Sequence, residues 1–108
     1  RYAAPVAAAK TLKRGGVELD AAGRAVTVGG KKVALARKEF DLLAVLLEKA
    51  GRVLSVTYLL ETVWGYDPAH YNDPSTVEVH ISRLRRKLGA RAAALIVNST
   101  GNGYKFEA

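Results

Sequence analysis

The sequence predicts an α+β domain: a small N-terminal antiparallel sheet, three helices and a C-terminal β-hairpin. Three observations predict it. Between Thr11 and Leu35, apolar residues recur near every second position, punctuated by glycines, which is the signature of short strands and turns. Between Ala36 and Leu88 the apolar spacing lengthens to three and four, which is helical. Beyond Leu88, two short β-branched or aromatic runs flank a stretch of turn formers. An antiparallel sheet with one apolar face needs a cover, and the helices are that cover.

Composition narrows the class. With 108 residues, 49% of them hydrophobic, the chain is long enough for one core. It holds no Cys, which removes disulfides, thiolate metal sites and thiol nucleophiles and fits a reducing cytoplasmic setting. No apolar run approaches the roughly 20 residues of a membrane span. The missing initiator Met reads as a fragment or processed chain. The net charge of +7 is segregated: +5 over residues 1–36, −2 over 37–74 and +4 over 75–108. Positive ends around an acidic middle favour a polyanion-binding face over a uniformly basic surface.

Residues 1–10 are Ala-rich with Pro5 and read as a linker remnant; residues 11–108 are the domain. Leu12, Val17, Leu19, Val26, Val28, Val33 and Leu35 are the strand positions, with turns at Gly15-Gly16, Ala22-Gly23 and Gly29-Gly30. A first helix is expected over 36–50, ended by Gly51. Phe40, Leu43, Leu47 and Ala50 form its stripe, widened nearly all round by Leu42, Val45 and Leu46, so it should be the buried centre. Arg52-Val53-Leu54 is a short extended link. Ser55 caps a second helix, Val56 to Trp64, closed by Gly65. Trp64 reads as a packing residue, with its indole N–H turned out to a phosphate as the alternative. The polar loop Tyr66 to Asp73 is longer than an αα-hairpin needs. It is a contact surface or a spacer. His70 with Asp67 and Asp73 does not make a metal site, since no second ligand cluster accompanies them.

The third helix is PSTVEVHISRLRRKL, with Asp73 as N-cap, Pro74 at the first helical position and Gly89 at the end. At about 100° per residue, Val77, Ile81, Leu84 and Leu88 fall in one stripe. The opposite face carries Ser75, Thr76, Val79, Ser82, Arg83 and Arg86. Hydroxyls, a small aliphatic and guanidiniums suit the base edges and phosphates of a DNA major groove. Arg83 can bond a guanine O6/N7 edge, while Val79 and the Thr76 methyl can meet thymine methyls. Ser75, Ser82 and Arg86 can bond phosphates or bases, and His80 and Arg85 on the flanks suit phosphate. Glu78, also toward a flank, can accept from a cytosine amino group or simply repel wrong sequences. A solvated cationic face is the plainer explanation, but it leaves an exposed Val79 without a reason. Ala90 to Ala94 connects to strands at 95–97 and 104–106. The intervening turn holds Asn98, Thr100 and Asn102. Its glycosylation sequon, Asn98-Ser99-Thr100, carries no weight because nothing else marks secretion. Two helices, a loop, a polar-cationic helix and a hairpin make a winged helix-turn-helix. In that arrangement the third helix enters the major groove, and the hairpin reaches the adjacent backbone or minor groove.

RKEFDLLAVLLEKAGRVLS, LLETVWGYD, STVEVHISRLRRKLG and the ending GNGYKF together resemble the DNA-binding effector domain of OmpR/PhoB-type response regulators, over about Leu12 to Phe106. The resemblance implies a winged helix behind a four-stranded sheet and transcriptional control. It implies tandem binding to direct-repeat promoter DNA, as a dimer on DNA and a monomer in isolation. It places Thr76, Glu78, Val79 and Arg83 at bases and Trp64, His80, Arg85 and Tyr104 on the backbone, which moves Trp64 toward phosphate. Ser75, Ser82, Arg86, Asn98, Thr100 and Asn102 complete the expected backbone set. RNA polymerase is the expected partner of the loop at Tyr66, Asp67, His70 and Tyr71. Two departures stand out: Thr100 replaces an Arg common before the first wing glycine, and Ser82 stands where many relatives have Arg. No receiver domain is in this chain.

No cofactor is implied, and an enzyme is disfavoured: there is no GxxxxGK loop, no HExxH and no Cys. The stronger rival is a winged-helix module that binds protein without reading DNA. RNA binding is disfavoured by the lack of an aromatic stacking platform.

Overall fold

A computed structural model describes residues 11–65 and 73–107. The linker at 1–10 and the loop residues Tyr66, Asp67, His70 and Tyr71 lie outside the described residues. The elements run β1 (Thr11–Arg14), β2 (Val17–Asp20), β3 (Ala25–Val28), β4 (Lys31–Val33), α1 (Arg37–Glu48), α2 (Val56–Trp64), α3 (Ser75–Leu88), α4 (Ala90–Ala93), β5 (Ile96–Ser99) and β6 (Gly103–Phe106).

The first four strands form an antiparallel meander in sequence order. Gly15-Gly16 and Gly29-Gly30 make its two tightest turns, each pair with φ of 57° and 85°. Two successive positive φ values match the strand twist and suit glycine. Leu12, Leu19, Val26 and Val33 align across the sheet, and the alternation buries Val17, Leu19 and Val26. α1 is the cover. Residues 39–47 are all buried, as its all-round apolar sequence predicts. It packs against the sheet, α2, α3 and β6. The helix stops at Glu48, shorter than expected, and Ala50 and Gly51 form the turn beyond it.

Arg24, at φ 50°, locks sheet to helix. Its guanidinium pairs with the buried Asp41 at 2.9 Å and lies 4.4 Å from the Phe40 ring centroid. The caps of α2 follow the sequence: Ser55 Oγ accepts from the Tyr58 N–H at 3.0 Å, and Gly65 is left-handed at φ 76°. For α3, Asp73 Oδ1 accepts from the Ser75 N–H at 2.9 Å while Pro74 is already helical. The connector after Gly89 contains α4.

The link at 51–54 does more than connect. Leu54 pairs antiparallel with Tyr104, exchanging N–H···O bonds of 2.7 and 2.9 Å, and the Gly51 N–H donates to the Phe106 carbonyl at 2.8 Å. The hairpin β5–β6 is therefore extended by a third segment from before α2. The sequence shows a free extended link there, because pairing across fifty residues leaves no local pattern.

Candidate nucleic-acid interface

The stripe Val77, Ile81, Leu84 and Leu88 is buried. It fixes which way α3 faces. Ser75, Glu78, Val79, Ser82, Arg83 and Arg86 are consequently exposed, while Thr76, His80 and Arg85 are half-buried on the flanks. Val79 is 42% exposed, and only one other large hydrophobic among the described residues is as open. Its neighbours are charged or hydroxylated, so the face is a narrow apolar spot in a polar frame.

The flanks are tied to the rest of the fold. His80 Nδ1 lies 2.8 Å from the Thr76 carbonyl oxygen. A carbonyl only accepts, so Nδ1 carries the proton and Nε2 is the remaining nitrogen. The ring meets Trp64 edge-on, with centroids 4.9 Å apart. The Arg85 guanidinium donates to the carbonyl of Ile96, at the start of β5. Lys87 reaches α1, where its ammonium lies 2.8 Å from Glu39 Oε1; the same oxygen accepts the Ala36 N–H at 2.8 Å. Burial raises the Glu39 pKa, but the Lys87 and Ala36 hydrogen bonds and the charges of Lys87 and His80 outweigh it and hold the carboxyl below its ordinary value. Asp73, at the start of α3, is also lowered, by hydrogen bonds from the Ser75 backbone and side chain.

These contacts qualify three backbone assignments. Trp64 is 9% exposed and Tyr104 7%, so both are core residues first, and Arg85 anchors the hairpin. Packing, the sequence-only reading of Trp64, describes its main contacts. Asn98, Thr100 and Asn102 are exposed on the hairpin, and the Asn102 amide lies 3.4 Å from Ser99 Oγ. The turn holds no cation; Lys105 further along is half-buried and 3.6 Å from Glu107. A shallow groove runs between Ser55 and Thr57 at the start of α2 and Asn98 and Asn102 on the hairpin. Sequence reasoning missed Glu39. Its place three residues after Ala36 is a capping signal, but nothing local points to Lys87.

Among the described residues no His, Cys, Asp and Glu cluster is placed to hold a metal, and no helix is long and apolar enough to cross a membrane.

Residues 30–106 match the family described as "Transcriptional regulatory protein, C terminal". The chain belongs to this family. The OmpR/PhoB-type effector domain is its architecture: sheet, three main helices and terminal hairpin. The chain is 43% identical over 105 residues to transcriptional regulatory protein PrrA of Mycobacterium leprae, covering 96% of this chain and 44% of that protein. It resembles the DNA-binding domain of Klebsiella pneumoniae RstA, solved in complex with the RstA box, at 37% identity and a TM-score of 0.78. That match covers 91% of this chain and 97% of the RstA domain. DrrB of Thermotoga maritima, an OmpR/PhoB homolog, is similar at 32% identity and a TM-score of 0.78, over 91% of this chain and 44% of DrrB. The chain thus spans less than half the length of PrrA. The family is one of transcriptional regulators, and enzymatic chemistry is not its role.

Proposed function

We propose that the chain is the DNA-binding output domain of a two-component response regulator and reads promoter DNA with α3 in the major groove. The observation that carries this is the outer face of α3. Val79 stands exposed among Ser75, Glu78, Ser82, Arg83 and Arg86, over a stripe that is wholly buried. Thr76, Glu78, Val79 and Arg83 take the bases. Ser75, His80, Ser82 and Arg86 take phosphates, with the hairpin residues Asn98, Thr100 and Asn102 on the neighbouring backbone. Trp64, Arg85 and Tyr104 support that surface from beneath, and any phosphate contact they make is through their exposed edges. RstA, whose domain is captured on its box, supports the assignment by likeness.

The finer partners are proposed on the resemblance alone. The domain is a monomer in isolation and a dimer on direct repeats. RNA polymerase meets the loop before α3, and the intact regulator is cytoplasmic. Without a cation in the hairpin turn, α3 carries a larger share of the binding.

The test is selection of duplexes from a random-sequence pool, followed by binding measurements on Arg83→Ala. A loss of about 1–3 kcal/mol on the selected duplex, with relaxed preference at one base pair and little change on scrambled DNA, is expected. Equal losses on both duplexes would remove base reading by Arg83. Failure to enrich any sequence would favour the protein-interaction module instead.

A further inference from the structure

Glu39 is 2% exposed and lies on α1, away from the outer face of α3. Its ion-pair partner, Lys87, lies on α3. The geometry needs only the helical repeat of about 100° per residue. Thr76, His80, Arg83 and Lys87 fall in one row along a flank of α3, spaced four, three and four apart. Arg85 falls on the opposite flank, with the buried stripe between. The Arg85 flank is pinned to β5 through the Ile96 carbonyl. The Lys87 flank is pinned to Glu39, and His80, in the same row, is held by the Thr76 carbonyl and the edge of Trp64. Arg83 sits between these two, one turn from each.

The two kinds of restraint differ physically. Val77, Ile81, Leu84 and Leu88 hold α3 against α1 by burial, which is non-directional and resists separation more than a small roll or slide. A buried carboxylate is directional. If Lys87 moves off, a carboxylate only 3% exposed keeps one hydrogen bond, from the Ala36 N–H, which is disfavoured. The ion pair therefore opposes the rotation that would carry Thr76 and Arg83 off their base edges.

We propose that Glu39 is a positioning residue for base reading: through Lys87 it sets the roll of α3 and thereby the sequence specificity of the domain, without touching DNA. The proposal rests on α3 being the reading helix.

The test uses the 108-residue chain with two probes: the duplex that the wild-type chain selects from a random pool, and a scrambled duplex of equal length. Glu39→Gln keeps the shape and an acceptor oxygen but removes the charge. Long-range charge alone would tighten both duplexes, because the net charge rises by one. The expected result is the opposite on the selected duplex. Its affinity falls so that the selected-to-scrambled ratio drops roughly three- to tenfold, while the scrambled duplex binds as well or better. Lys87→Met is expected to lower the ratio similarly and Lys87→Arg to preserve it. All are measured well below their unfolding temperatures. If Glu39→Gln does not fold, the double variant Glu39→Leu/Lys87→Met decides, since replacing both partners strands no buried charge and the Lys87 side chain is 41% exposed. An unchanged ratio in the folded variants overturns the proposal. Arg83→Ala, run in parallel, separates the two failures. If it too leaves the ratio unchanged, α3 is not the reading helix; if it alone lowers the ratio, only the positioning role falls.

Discussion

A Cβ on Gly103 would sit 2.0 Å from the carbonyl oxygen of Leu54, at a backbone φ of 135°. Both the space and the conformation exclude a side chain. Gly103→Ala is therefore expected to destabilise the domain by about 3 kcal/mol or more, read as a lower urea midpoint. It should also weaken DNA binding, because the hairpin can no longer seat on Leu54. That glycine is visible in the sequence only as one of several turn formers. Its specific burden comes from the bridge partner, which lies half the chain away. The same holds for Arg85 and Lys87. Their charge and helical angle can be read from the sequence, but the carbonyl and carboxylate they serve belong to elements the local pattern does not connect. Val79 is the reverse case: its exposure follows directly from its angle opposite four apolar residues.

Among the elements, α2 shows how much capping chemistry can be read in advance. Ser55 and Gly65 stand where the sequence places them, and the Ser55 hydroxyl holds the Tyr58 N–H. Ser55→Ala is expected to cost about 1 kcal/mol, seen as a lower unfolding temperature, with α2 otherwise intact. α1 was equally legible as the buried helix, since its apolar residues surround its axis. The hairpin was legible as two strands around a turn, but its anchoring was not. Periodicity reports which face of an element is apolar; it does not report which backbone groups of a distant segment complete the ladder. Sequence reasoning therefore found the exposed face of α3 and left out the two struts that hold it.

For the whole molecule, acid is the informative perturbation. The Glu39 carboxyl is held below its ordinary value near 4.5. A depressed carboxylate contributes stability that is fully present above the unfolded-state pKa and is lost as pH falls through the lower folded-state pKa. Unfolding midpoints in urea should thus be flat from neutral pH down to about 5 and then decline through the window below 4.5. In Glu39→Gln the decline should be shallower there, although the variant starts less stable at pH 7. An identical decline in both proteins would assign the acid response to other carboxylates, Asp73 first. The bridge between Leu54 and Tyr104 has a consequence at this scale too. Everything N-terminal to α2 and all of α3 leave the ribosome before the strand that completes the ladder. Until Tyr104 emerges, the Leu54 N–H and carbonyl have only water to bond, and the hairpin has nothing to seat on. A nascent chain can therefore collapse its helices early but gains its wing last. Among these elements β6 is the last to be translated, and it sets when the hairpin is seated on Leu54.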